Sequence, residues 1–281
     1  MKFLFITASP ELSVFAASRG VDRIFVDLEL LGKTERQGHL NTVISRHSFD
    51  DLRAVRRVVP DTEVMARLNP INADTQSEID QAIDAGADIL MLPMFRTVAE
   101  VREFTERTAG RARICLLAET MDAVRNLSSC VTIEGVNEVH IGLNDLSLDL
   151  NLPFLFQPLA LGLVDDVAAI MRDAGMPFGI GGLARVGEGQ LPAEMILGEH
   201  VRLGSTAAIL SRTFHRQATT VAEIEADMVF EIEIEKLRSA YEMHKGMGVA
   251  HLMHNHGQVV ARISDIVEAI RSTGKVNTGA G

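Results

Sequence analysis

The sequence predicts a (β/α)8 barrel with a C-terminal helical extension, and three observations carry that prediction. Eight short apolar or β-branched runs begin near Lys2, Arg23, Glu63, Asp88, Arg113, Glu138, Pro177 and His200, each of a length suited to a buried parallel strand. The runs at 63, 88, 113 and 138 start 25 residues apart, with helix-like stretches such as SEIDQAIDAGA and VAEVREFTERTAG between them, so the repeating unit is a strand plus a helix. Eight such units over roughly 210 residues suit a barrel, usually about 250 residues long, better than a doubly wound sheet. No G-x-G-x-x-G follows the first strand, which removes the phosphate fingerprint of that alternative.

The first run, KFLFIT, is too short for a signal-peptide core and reads as a strand. RIFVDLE then ends on Asp27 and Glu29, EVMARLN on Arg67 and Asn69, DILMLP on Pro93, and RICLLAE on Glu119. EVHIGLND ends on Asn144 and Asp145, PFGIGG on Gly181 and Gly182, and HVRLGS on Ser205. Barrels of this kind place catalysis at the C-terminal ends of their strands, where these polar residues gather. A carboxylate directly after ICLLA or HIGLN is not there for packing, because an unpaired buried charge costs several kcal/mol.

After Ser211 the alternation stops. Two helical stretches follow, TVAEIEADMVFEIEIEKLRSAYEMHK and QVVARISDIVEAIRS, joined by GMGVAHLMHNHG. The expected division is a barrel over 1–212, a helical extension over 213–274 and a disordered tail over 275–281. Ile224, Met228, Ile232, Leu237 and Tyr241 mark one apolar face, which needs cover from another subunit or from its own barrel. The extension is expected to be an oligomer contact, and the protein a homo-oligomer. His251, His254 and His256 are irregularly spaced for a closed zinc site, with no Cys nearby, and read as a surface or interface cluster.

Composition narrows the function. The chain has 281 residues, 47% hydrophobic and 23% charged, which excludes a disordered or collagen-like chain. Two cysteines, Cys115 and Cys130, cannot form a disulfide framework, so a reducing, cytoplasmic setting is expected. The formal charge of −11 comes with no basic cluster, which argues against nucleic acid as a partner. There is no Trp and a single Tyr, so platforms for polymeric sugar or unpaired bases are lacking. No apolar stretch approaches the ~18 residues of a membrane span.

Glu119 and Asp145 end successive strands, and two hard oxygen ligands on one rim suggest Mg²⁺ or Mn²⁺. The alternative is that each caps the following helix or pairs with Arg67.

With these residues in view, the stretches GVDRIFVDLE, ARLNP, GADILMLPMF, ICLLAETMDAVRNL and EVHIGLNDLSLDL resemble, in order over residues from about 20 to 210, the HpcH/HpaI aldolase and citrate lyase beta-subunit family. The resemblance implies a TIM barrel of the phosphoenolpyruvate/pyruvate-domain type. It implies that a divalent cation, Mg²⁺ or Mn²⁺, is held by Glu119 of L-x-E-T and Asp145 of G-x-N-D-L and chelates a 2-keto acid. Arg67 of R-x-N-P would contact the ketoacid oxygens and stabilise the enolate, and backbone groups near the sixth strand would hold the carboxylate. The activity implied is that of a metal-dependent carbon–carbon lyase of the aldehyde-lyase or oxo-acid-lyase type, acting through a metal-bound enolate of pyruvate or a related 2-keto acid. Its co-substrate would be an aldehyde or a thioester. A citrate lyase-like or citrate-forming enzyme and a non-catalytic ketoacid-binding protein are the alternatives.

An aldol reaction also needs a proton shuttle. The sugar-acid aldolases of this family carry D-G-E-H after the second strand, whereas this chain reads Asp27-Leu28-Glu29-Leu30. The citrate lyase branch has D-L-E-D followed by a Lys and an Arg, which Lys33 and Arg36 resemble. Glu29 is retained as a catalytic candidate. The loop GKTERQGHLNTVISRHS offers Glu35, Arg36, His39 and His47, with His39 the candidate shuttle and a solvated loop residue the alternative. In PFGIGGLARVGEGQLPAE, five glycines with Arg185 among them are either a tight backbone turn or a phosphate or carboxylate grip.

Overall fold

Eight parallel strands, each hydrogen-bonded to its neighbours in sequence, close into a barrel where β1 pairs with β8. The strands are β1 (Lys2–Ile6), β2 (Arg23–Asp27), β3 (Glu63–Arg67), β4 (Ile89–Leu92), β5 (Arg113–Ala118), β6 (Val136–Ile141), β7 (Phe178–Leu183) and β8 (Ala207–Leu210). The structure, a computed structural model, describes residues 1–32 and 47–273. The expected shuttle His39, with Lys33, Glu35 and Arg36, and the expected disordered tail 275–281 lie outside the described residues.

Helices follow the strands: α1 (Pro10–Ser18), α2 (Phe49–Val58), α3 (Thr75–Asp84), α4 (Val98–Thr108) and α5 (Met121–Cys130). After β6 come α6 (Leu143–Asp149), α7 (Gln157–Ala160) and α8 (Leu163–Ala174), and α9 (Ala193–Leu203) joins β7 to β8. Their starts are set locally. Ser48 with Asp51, and Thr97 with Glu100, form capping boxes. Apolar residues on the helices pack onto the outward faces of the strands, while Leu4, Phe25, Met65, Ile89, Met91, Cys115 and Leu117 fill the barrel interior.

The eighth strand starts later than the sequence pattern suggests. His200 to Leu203 continue α9, which Gly204 ends in a left-handed conformation at φ 85°, and the strand begins at Ala207. Ser205 therefore sits before β8, where its hydroxyl meets His200 Nδ1 at 2.9 Å, and the strand's C-terminal end is Ser211, Arg212 and Thr213.

The extension consists of α10 (Val221–Asp227), α11 (Phe230–Gly246) and α12 (Val249–Thr273). Most of the stretch expected to join two helices is the start of α12, because nothing in VAHLMHNHG breaks a helix and only Met247 and Gly248 interrupt it. Ile224, Met228, Leu237 and Tyr241 are buried and Ile232 is half-exposed. Helices α11 and α12 lie against α9, and Arg238 donates to the carbonyls of Met1 and Gly20 and pairs with Asp22. The apolar face is thus covered by the chain's own barrel. Arg185 donates to the Phe214 carbonyl at 2.8 Å and pairs with Asp227, so it fastens the extension to the β7 side.

At the N-terminal floor of the barrel, Arg23 is buried between Glu63 (2.9 Å) and Glu138 (2.5 Å), and Lys2 and Arg113 also pair with Glu63. Burial opposes the charge on Arg23, but Glu138 and then Glu63 outweigh it and raise its pKa. Burial likewise opposes ionisation of Glu63, yet Arg113 and Arg23 lower its pKa to about 2. Its contribution to stability is present above the ordinary carboxylate range and lost as pH falls towards that value. Arg23→Leu should destabilise the fold by about 3 kcal/mol, because it leaves two carboxylates over the barrel floor. The exposed Arg113, changed to Leu, should cost under about 1 kcal/mol. Equal losses for the two variants in urea unfolding would show that the floor does not depend on the buried arginine.

Candidate active site

The C-terminal ends of β2, β3, β5, β6 and β8 surround a cavity of about 280 Å³. Ile6, Phe25, Leu117 and Ile209 make it apolar below, while Asp27, Arg67, Glu119, Asp145 and Arg212 stand around it. A volume near the lower end of ligand pockets, which start at ~300 Å³, suits a small acid.

Arg67 is the central cation. Its Nε and Nη2 donate to the two carboxylate oxygens of Asp27, each at 2.8 Å, a fork that β2 and β3 create by placing the two residues directly opposite each other. Nη2 also lies 3.4 Å from Glu29 Oε2. Burial works against the charge, but Asp27 and then Glu29 override it and raise the pKa above that of an ordinary arginine. The guanidinium stays charged with a fixed plane.

Glu119 is buried at the end of β5. Burial, and then the charge of Asp145, push its pKa well above the carboxylate range, against the opposing pull of Arg67. Two features hold it. Met94, left-handed at φ 53°, donates its amide to Glu119 Oε1 at 3.1 Å; a non-glycine residue in that region costs about 1 kcal/mol. Gly142 supplies the space, since a Cβ there would lie 2.8 Å from Glu119 Cβ and 2.9 Å from Oε2. The next residue, Thr120, caps α5 through the Ala123 amide at 3.0 Å, so the T of L-x-E-T is a helix cap.

The sequence-derived residues divide accordingly. Arg67, Glu119 and Asp145 line one cavity. Glu29 is not among the described residues that line it and sits against Arg67 instead. Asn69 Oδ1 accepts from the amides of both Leu30 and Leu31, at 2.8 and 2.9 Å, and so anchors the backbone that leaves β2.

Two cavity residues escaped the sequence reading. Arg212 follows β8, whose position was misjudged; burial lowers its pKa, partly countered by Asp27. His140 faces inward from β6, fills the space beside Gly179, where a Cβ would come within 2.4 Å of its Nδ1, and donates from Nε2 to the Gly181 carbonyl at 3.2 Å. Burial lowers its pKa to about 4, so the ring is neutral at working pH. An inward His opposite a strand of glycines was the available signal.

The residues fit a divalent cation. Asp145 adds to the cost of ionising the buried Glu119, and a cation held there would remove that cost. Among the described residues no group of three or more His, Cys, Asp or Glu forms a cluster able to hold a metal, so the protein would supply two carboxylates and leave other positions to water and substrate.

The sequence model of the HpcH/HpaI aldolase/citrate lyase family matches residues 3–154. No curated protein matches the chain in sequence. Among solved structures, the HpcH/HpaI aldolase from Desulfitobacterium hafniense DCB-2 is similar at 17% identity and a TM-score of 0.59, over 75% of this chain and 85% of that one. An HpcH/HpaI aldolase/citrate lyase family protein from Burkholderia cenocepacia J2315 is similar at 16% identity and a TM-score of 0.60, over 81% and 95%. The citrate synthase SbnG is similar at 15% identity and a TM-score of 0.58, over 85% and 94%. At these identities the likeness speaks for the fold.

Because the folded-state pKa of Glu119 is raised, its contribution to stability is full below the ordinary carboxylate range and is lost as pH rises through the raised value. Metal-free Glu119→Gln should therefore be more stable than the parent at pH 8, by about 1 kcal/mol, and this advantage should shrink at pH 5. Thermal unfolding at the two pH values checks it. A variant less stable than the parent at pH 8 would mean that the carboxylate is not under electrostatic stress.

Proposed function

The chain belongs to the HpcH/HpaI aldolase/citrate lyase family, and from that premise we propose that it is a divalent-metal-dependent carbon–carbon lyase of the aldolase type, acting through the enolate of pyruvate or a related 2-keto acid. The observation that carries this reading is the meeting of Glu119, Asp145 and the locked Arg67 around one small cavity.

Glu119 and Asp145 would hold the cation, Mg²⁺ or Mn²⁺. Bound there, it would act as a Lewis acid towards the ketoacid oxygens. Arg67 stabilises the negative charge that develops on the enolate, and Asp27 and Glu29 keep its plane fixed so that little reorganisation is needed. Glu29 acts through Arg67 and is a positioning residue. His140, neutral, adds a polar group to the cavity lining without a competing charge. In cleavage the hydroxyl proton of the aldol passes to a base and the carbon–carbon electron pair passes to the enolate. A proton then returns to that carbon. His39, which lies outside the described residues, is the proposed base.

Condensation in the citrate-forming direction is the second reading. Arg212 beside the cavity favours it, since that reaction joins two acids and a second cation suits the second carboxylate. Met243, Met247, Val249 and Met253 are exposed around the α11–α12 turn, which supports a homo-oligomer. No helix among the described residues is long and apolar enough to cross a membrane.

Proton–deuterium exchange at the pyruvate methyl group, followed by NMR, tests the proposal. Exchange should require Mg²⁺ or Mn²⁺, vanish in Glu119→Gln and fall about 100-fold or more in Arg67→Met. No exchange with any metal, despite bound ketoacid, would overturn it in favour of a binding protein, and turnover of an acyl-thioester alone would favour the second reading.

A further inference from the structure

The turn between α11 and α12 brings together two histidines that the candidate active site does not use. His244, in the last turn of α11, is buried. Its Nδ1 lies 3.2 Å from Nε2 of His251, near the start of α12, with the rings 5.2 Å apart and tilted by 41°. The simplest account of this contact is one hydrogen shared between the two ring nitrogens. The same separation is also that of two nitrogens on one tetrahedral ion, because metal–nitrogen bonds of about 2.0–2.1 Å set the nitrogens about 3.3–3.4 Å apart.

Two further facts point towards the ion. Burial, and then the neighbouring ring of His251, lower the pKa of His244, which keeps it in the neutral form that binds metal. The two helices are held in place by their packing on α9, so the pair is set before any ion arrives.

We propose that His244 and His251 form a second metal site, separate from the barrel cavity, that takes a borderline divalent transition ion such as Cu²⁺, Ni²⁺ or Zn²⁺, with water completing its coordination. Imidazole nitrogen selects these ions over Mg²⁺, whose preference is for oxygen, so the two sites differ in the metal they accept. Of the sequence-derived trio, His251 alone takes part. His256 is bonded to the buried Glu199 at 3.0 Å, and His254 is exposed.

The test uses full-length protein carrying Glu119→Gln, which disables the barrel carboxylate pair. Titration with Cu²⁺ followed by calorimetry and by the ligand-field absorption band should give one equivalent bound through nitrogen. His251→Gln, at a partly exposed position that leaves the fold intact, should weaken that binding at least 10-fold, whereas His254→Gln should leave it unchanged, and Mg²⁺ should not compete. Binding equal in His251→Gln and the parent would assign the ion to surface histidines and overturn the proposal. Absence of binding at 100 μM Cu²⁺ would overturn it too and leave the pair as a hydrogen bond.

Discussion

The pairing of Arg67 with Asp27 is the interaction on which the mouth of the barrel depends. Asp27, Glu29 and Glu119 are all buried around it, with Asp145 close to Glu119. Without a fixed cation such a group of carboxylates would take up protons or let in water. The parallel register places Asp27 opposite Arg67, so the fork is a product of strand pairing and not of a flexible side chain finding a partner. The carboxylates nearest the guanidinium are neutralised by it, while Glu119 keeps a charge problem that burial and Asp145 create. That imbalance separates the cavity from a satisfied ion-pair network such as the one around Arg23.

Much of this was legible in the sequence. Seven strands start within two residues of their apolar runs, because a buried parallel strand is marked by hydrophobicity along its whole length. The eighth was placed too early because HVRLG carries the same apolar signal as a strand and is in fact the last turn of α9. The error hid Arg212, which follows from the position of that strand's end. That Glu119, Asp145 and Arg67 line one cavity was legible because a charge directly after an apolar run is costly unless it is used. His140 was not, since a histidine within a strand gives no sign of which face it occupies until the register with the glycines of β7 is known.

The extension shows the limit of reading an amphipathic stripe. The spacing of Ile224, Met228, Leu237 and Tyr241 reports that a face is buried but says nothing about the surface that buries it. Here Arg238, anchored on Met1, Gly20 and Asp22, and Arg185, anchored on Asp227, tie α10 and α11 to the barrel. Polar links of high sequence separation decided the docking, and a pattern of neighbours along one helix does not contain them.

Asn69 has a consequence for how this scaffold can diverge. It follows β3, yet it holds the backbone that leaves β2, through the amides of Leu30 and Leu31. Any amino acid except proline offers such an amide. The anchor therefore makes no demand on the side chains at positions 30 and 31, provided the asparagine stays and neither of those two positions becomes proline.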